Sequence, residues 1–196
     1  IATHSGAPFK TLSELITYAR ANPEKVTYGL ASHAGSDHLG FELLALRSKS
    51  KLTPVVYKGA AAISTDLVAN QVQMSFFTVA GLLPLLPNGR VRPLALGSAR
   101  RSPLVPDLPT FAESGFPGFE AGVTHGLLLP AATPAPRVAA LSRAINDVLN
   151  DPAYRKQMAD VGAQVVGGTP ESFRMYLIAE RKKWAEVIVK AKIKDD

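Results

Sequence analysis

The sequence predicts an α/β fold in which a largely parallel sheet is flanked by helices. Three observations carry this. Short runs rich in Val, Tyr and Phe alternate with longer runs whose apolar residues recur every three to four positions. Small, Gly- and Ser-rich loops separate the two kinds of run. Hydrophobic residues fill 46% of the 196 positions and charged ones 19%, which supplies a core and sets the chain apart from disordered or fibrous proteins.

Thr11-Leu12-Ser13-Glu14 has capping-box spacing, and Leu12, Leu15, Ile16 and Ala19 follow at helical intervals until Asn22-Pro23 ends the pattern. The run from Lys25 to Ala31 reads as a strand, and the polar stretch 32–36 leads into a helix expected to carry Leu39, Leu43 and Leu46 on one face. Further strands are expected from Leu52 to Tyr57, Val72 to Phe77 and Val91 to Leu96, with helices from Ala60 to Ala69 and Val79 to Leu86. Strands joined by helical crossovers lie parallel in a sheet with covered faces. Residues 98–118, rich in Pro, Ser and Gly, read as a long structured loop with one helical turn near Phe111 to Glu113.

A last strand is expected near Ala121 to Leu129, after which helices dominate. Thr133-Pro134, Asp151-Pro152 and Thr169-Pro170 each place a capping side chain before a proline at the first helical position. The first of these helices is expected to bury Val138, Leu141, Ile145 and Val148, and the third Phe173, Leu177, Arg181, Trp184 and Ile188. Only one more short strand, Ala163 to Val166, is expected there, so these helices have little sheet to cover within the chain.

The formal net charge of +6 creates a mean field that attracts anions. Outside Arg100-Arg101, Arg181-Lys182-Lys183 and the tail lysines Lys190, Lys192 and Lys194, the basic residues are scattered, and no aromatics interleave with them as a nucleic-acid platform requires. With no cysteine there is no disulfide, thiolate metal site or thiol nucleophile. No apolar run approaches the roughly 20 residues of a membrane span, and no charged n-region followed by an h-region is present.

Two segments carry candidate chemistry. In Tyr28-Gly29-Leu30-Ala31-Ser32-His33-Ala34-Gly35-Ser36-Asp37-His38-Leu39 a strand feeds a small-residue loop that opens a helix, so backbone N–H groups and the positive end of the helix dipole converge where an anion can dock. Ser36 is placed both to cap that helix and to donate its hydroxyl to a carboxylate; plain capping by Ser36 or Asp37 is the structural alternative. Tyr57-Lys58-Gly59-Ala60-Ala61-Ala62 repeats the arrangement, with a glycine that lets a ligand approach the backbone. Both loops fall at the carboxyl ends of parallel strands, where open α/β sheets bind ligands.

The hydrolase elbow G-x-S-x-G, the phosphate loop G-x-x-x-x-G-K-[ST] and the dinucleotide motif G-x-G-x-x-G are absent. His33 and His38 lie five apart across a loop–helix junction, unlike an i, i+4 metal pair, and His4 and His125 stand alone. No metal, cofactor or catalytic residue is expected.

Taken together the segments resemble the substrate-binding receptors of tripartite tricarboxylate transporters, the Bug or TctC-like family. The likeness spans nearly the whole chain. It rests on Lys10-Thr-Leu-Ser-Glu-Leu15, on Gly35-Ser36-Asp37-His38-Leu39 after Tyr28-Gly29, and on Val56-Tyr57-Lys58-Gly59 with Thr65-Asp66-Leu67. It continues through Asn70-Gln71-Val72-Gln73-Met74-Ser75-Phe76, Ser98-Ala-Arg-Arg-Ser-Pro103, Pro106-Asp-Leu-Pro-Thr110 and Gly167-Gly-Thr-Pro170.

The resemblance implies a periplasmic-binding-protein type II-like, two-lobed Venus-flytrap receptor with mixed, mostly parallel sheets. Such a receptor captures a small carboxylate in the periplasm and delivers it to the transporter's membrane subunits, without inserting in the membrane or binding nucleic acid. It also implies that lobe one is incomplete here and that the export signal lies outside this chain. Residues 1–8 are then a lobe-crossing strand, 9–122 the ligand-gripping lobe two, and 123–196 the C-terminal part of lobe one. Carried over by position, the grip falls on Gly35, Ser36 and His38 of the first loop and Gly59, Ala60 and Ala61 of the second.

Three departures stand out: Ala62 where a proline is usual, Phe77 where a polar residue often meets the far end of the ligand, and Thr124-His125 where an aromatic commonly precedes Gly126. Phe77, if it faces the cleft, becomes an apolar wall. An effector-sensing module of a transcription regulator with the same fold, and a hydrolase or transferase of unknown type, are the competing functions.

Overall fold

The computed structural model describes residues 1–193, so Lys194 of the basic tail lies outside the described residues. The chain divides into two compact units, Ile1–Gly122 with the segment from Ala185 onward, and Val123–Trp184.

The first unit is built on five strands: β1 (Ala2–His4), β2 (Thr27–Leu30), β3 (Thr53–Val56), β4 (Met74–Ser75) and β5 (Val91–Pro93), in the order β3-β2-β4-β1-β5. The sheet is mixed. β2 runs parallel to both neighbours, β3 and β4, whereas β1 is antiparallel to both of its own, β4 and β5. Its helices are α1 (Leu12–Ala21), α2 (Ser36–Ser48), α3 (Ala60–Val68) and the short α4 (Val79–Leu82), which runs on into a 3-10 turn at Leu83–Leu85.

α1 starts where the capping box puts it: Thr11 Oγ1 accepts from Glu14 N–H (3.2 Å), and the Glu14 carboxylate accepts from Lys10 N–H (2.7 Å). Alternation along β2 sends successive residues to opposite faces. Tyr28, fully buried, stacks on Phe41 of α2 with ring centroids 4.2 Å apart. Gly29 faces the other way, where a Cβ would come within 2.8 Å of Ile63 Cγ2 of α3. The two helices therefore cover opposite faces.

The α2 face is an aromatic row, with Phe41–Phe76 centroids at 4.5 Å, Phe76–Phe111 at 6.2 Å and Phe111–Phe119 at 4.1 Å. It is built from Phe41, Leu43 and Leu44. Of the expected stripe only Leu43 is buried: Leu39 is half-buried and Leu46 exposed, because the sheet meets α2 on its Phe41–Leu44 side. Phe111 and Phe119 belong to the long loop, which is structured as expected. Thr110 and Glu113 cap its helical turn reciprocally (2.8 and 3.2 Å), and Leu96 bridges to Thr110.

The second unit holds α5 (Ala135–Asn150), α6 (Pro152–Asp160) and most of α7 (Pro170–Ala191). Asp151 caps α6 by accepting from Ala153 and Tyr154 N–H, and Thr169 accepts from Ser172 N–H at the start of α7. Thr133 does not cap α5. Its hydroxyl donates back to Pro130 O (2.7 Å), and Pro134 itself stands at the cap position.

The expected strands at 121–129 and 163–166 do not form among the described residues. An apolar alternation makes a strand only where a neighbour offers its N–H and C=O groups. The stripe expected to be buried on α5 is half-buried at Val138 and Ile145 and exposed at Leu141 and Val148. On α7, Phe173 and Trp184 are half-buried, Leu177, Arg181 and Ile188 are exposed, and Val187 is the buried residue. No strand forms between 123 and 184 among the described residues.

Candidate ligand-binding site at the strand ends

In register, Leu30 pairs with Val56, and Tyr57 N–H continues the ladder to Leu30 O (2.9 Å). The loops that follow β2 and β3 therefore leave the sheet side by side at the carboxyl ends of parallel strands. β4 ends on the other side of β2, bringing Phe76 and Phe77 to the same end. This is the edge at which open α/β sheets take ligands.

After β3, Gly59 caps α3 with φ 111° and ψ 171°, a conformation that favours glycine, and it offers no side-chain hydrogen bond. Ala60, Ala61 and Ala62 are exposed, and their N–H groups have no acceptor among the described residues. Lys58, also exposed, has no salt-bridge partner among the described residues. A carboxylate at this turn would meet three free amides and a helix dipole, with a lysine in the preceding position of the loop.

The loop after β2 is more occupied. Gly35, not Ser36 or Asp37, is the cap residue of α2, and Ser36 is the first helical residue, exposed, with its hydroxyl unengaged among the described residues. Asp37 Oδ2 accepts from Ala31 N–H (2.8 Å) and Oδ1 from His38 N–H (2.9 Å). His38 is buried, and its Nδ1 accepts from Ala34 N–H (3.0 Å), holding that residue at φ 56°. On the far side of the ring, Nε2 lies 3.8 Å from Glu42 Oε1, which also accepts from Tyr28 OH (2.9 Å).

Burial holds the His38 pKa below its ordinary value. Glu42 opposes that shift, His33 with its ring centroid 5.7 Å away adds to it, and Asp37 opposes it. The Tyr28 phenol is pushed well up, first by burial and then by the Glu42 charge and hydrogen bond. His38 is thus a strut that sets the loop as much as a group that meets a ligand.

Of the remaining residue named from sequence, Phe77 is half-buried and packs against the cluster of Ala2, Leu67, Val72, Leu82 and Val91 on the α3 face, opposite Phe76. Only the uncovered part of its ring is free for a ligand. Sequence reasoning passed over Glu42; the i, i+4 spacing of His38 and Glu42 is the signal that points to it. No three His, Asp or Glu side chains gather in metal-binding geometry among the described residues.

A broad groove of about 820 Å³ lies elsewhere, between Lys10–Ser13, Pro93–Leu94, the 104–109 loop and Glu113–Ser114, and none of Gly35, Ser36, His38, Gly59, Ala60, Ala61 and Phe77 lines it. Its charged groups are mixed, with Lys10 beside Asp107 and Glu113, and Glu113 is paired with Arg101 at 2.9 Å.

The pattern of the family described as tripartite tricarboxylate transporter family receptor matches residues 1–193. The chain belongs to this receptor family. A protein from the tcbD-tcbE intergenic region of Pseudomonas sp. (strain P51) is 33% identical over 186 residues, covering 94% of this chain and 55% of that protein. A solved R. palustris protein with adipate is 31% identical with a TM-score of 0.81, covering 98% of this chain and 64% of the other. MatC from Rhodopseudomonas palustris with bound malate is 29% identical with a TM-score of 0.74, covering 95% and 65%. The receptor chain thus spans just over half of that curated relative and just under two thirds of those solved proteins. No helix among its described residues is long and apolar enough to cross a membrane.

Proposed function

We propose that this receptor captures a small organic carboxylate in the periplasm and presents it to the membrane subunits of a tripartite tricarboxylate transporter, making and breaking no bond. The observation that carries this reading is the side-by-side exit of two loop–helix starts at the carboxyl ends of β2 and β3, one of them with three free amides. That the related proteins were solved with adipate and with malate supports it. In this reading Gly35, Ser36 and His38 form one jaw and Gly59, Ala60 and Ala61 the other, with the uncovered part of the Phe77 ring as an apolar wall. Residues 9–122 are lobe two, 123–196 the returning part of lobe one, and 1–8 the strand that crosses between lobes.

A thermal-shift screen of the full-length receptor against mono-, di- and tricarboxylates tests it. A ligand that binds only the native state at about a hundred times its Kd adds about 2.7 kcal/mol, a shift of several degrees. Failure of every carboxylate to raise the midpoint, or turnover of a candidate ester or amide, would overturn the reading.

A further inference from the structure

The two helix starts differ in one charged group. At α3 the amides of Ala60 to Ala62 have no acceptor among the described residues, and the exposed Lys58 precedes them in the same turn. At α2 the carboxylate of Asp37 already sits in the crook between the end of β2 and the first helical turn. It accepts from Ala31 N–H (2.8 Å) and His38 N–H (2.9 Å), and Oδ1 lies 2.8 Å from where a Gly35 Cβ would stand. That is the place an incoming anion would take at a helix start. The Ala34 amide, a third donor, is held by His38 Nδ1. Asp37 has no salt-bridge partner among the described residues.

We infer that Asp37 is a specificity-determining residue of the proposed receptor. It makes the α2 jaw reject a second carboxylate and accept a hydrogen-bond donor, a hydroxyl or an ammonium, at the other end of the ligand. The ligand carboxylate then lies against Lys58 and the Gly59–Ala62 turn. A carboxylate offers about four acceptor positions, and two are engaged by backbone amides, which leaves acceptor capacity for such a donor. The adjacent Ser36 hydroxyl, unengaged among the described residues, complements it. The ligand class is therefore a hydroxy or amino acid with its donor distant from the carboxylate, rather than a symmetric dicarboxylate.

The inference rests on the function proposed above, and one experiment separates the two. Calorimetry on the full-length receptor compares acids matched in length at about four, five and six carbons, each as dicarboxylate, ω-hydroxy acid and ω-amino acid. The wild-type protein is expected to bind an ω-hydroxy or ω-amino acid at least about tenfold tighter than the dicarboxylate of the same length, and Asp37→Asn to narrow or reverse that ratio by about tenfold. A wild-type preference for the dicarboxylate overturns the inference without need of any variant. So does a ranking that Asp37→Asn, still folded by its melting point, leaves unchanged. If no acid of any series binds, the proposed function falls and this inference with it; if acids bind and only the ranking disagrees, this inference alone falls.

Discussion

Gly29 shows how one missing side chain places the site. A Cβ there would lie 2.8 Å from Ile63 Cγ2 and 3.4 Å from Tyr57 Cε2, so α3 packs directly on the β2 backbone. Ile63 stands one turn after Gly59, and its N–H reaches the Gly59 carbonyl (3.4 Å), so this contact fixes the height of the free amides above the sheet. Gly29→Ala is expected to overpack the interface and destabilise by about 1–3 kcal/mol. Ile63→Ala, which removes the clashing carbons, is expected to cost about 2–5 kcal/mol alone and clearly less in the Gly29→Ala background. Urea unfolding of the four proteins measures this, and strict additivity would show that the two residues do not compete for space. The sequence displays Tyr28-Gly29 as part of a familiar pattern, but it does not display why the second residue is small. That reason sits on another element 34 positions away.

At the scale of elements, the strand–helix alternation was legible because caps and apolar periods are local: α1, β2, β3 and α3 lie within the runs the sequence assigns, and α2 starts at Ser36, the last residue of the expected loop. Pairing is not local, which is why the unpartnered apolar runs at 121–129 and 163–166 read as strands and are none. The two candidate loops were legible from glycine and strand-end position; the internal use of Asp37 and His38 was not, since it depends on how the loop folds back.

That use makes α2 pH-sensitive. Burial lowers the His38 pKa below its ordinary 6.5, against the raising effects of Glu42 and Asp37 and with the help of His33. The folded-state value is thus below the unfolded one, so the contribution of neutral His38 is fully present above 6.5 and is lost as pH falls through the lower folded value. Protonation at Nδ1 also removes the acceptor that holds Ala34. The melting point is expected to fall on acidification below 6.5, with the His38 ring titrating below that value by NMR, and His38→Asn is expected to flatten the slope. An unchanged slope in His38→Asn would assign the acid sensitivity to other groups.

At the scale of the whole molecule, burial is divided unequally between the two units. The first contains the fully buried side chains, Tyr28, Phe9, Phe41, Phe111, Phe119, Leu12 and Leu15 among them. In the second, α5 and α6 have no buried residue, and Leu127, Leu128 and Val166 are 71%, 74% and 85% exposed. Buried apolar area contributes roughly 25 cal/mol per Å², so the second unit gains little from it. A few longer-range contacts tie it together. Asn146 bonds Gly168 in both directions at 2.9 Å, Thr124 meets the Tyr176 hydroxyl at 2.7 Å, and Gly126 lets the Phe173 ring approach the backbone. Hydrogen bonds of this kind contribute only about 1 kcal/mol each, too little for strong resistance to local opening. Hydrogen exchange on the 196-residue chain is therefore expected to show amides of α5 and α6 protected at least about a hundredfold less than those of β2 and α2, a gap of roughly 2.7 kcal/mol in opening free energy. Asn146→Ala should widen it, because both bonds to Gly168 go at once. The lobe assignment proposed above adds a second arm: under that assignment the rest of lobe one covers these apolar faces in the full-length receptor, and α5 and α6 are expected to slow there toward the rates of α2. Equal protection of both units in the 196-residue chain would show that the second unit is stable without such a cover. Unchanged fast exchange in the full-length protein would show that the cover is not there.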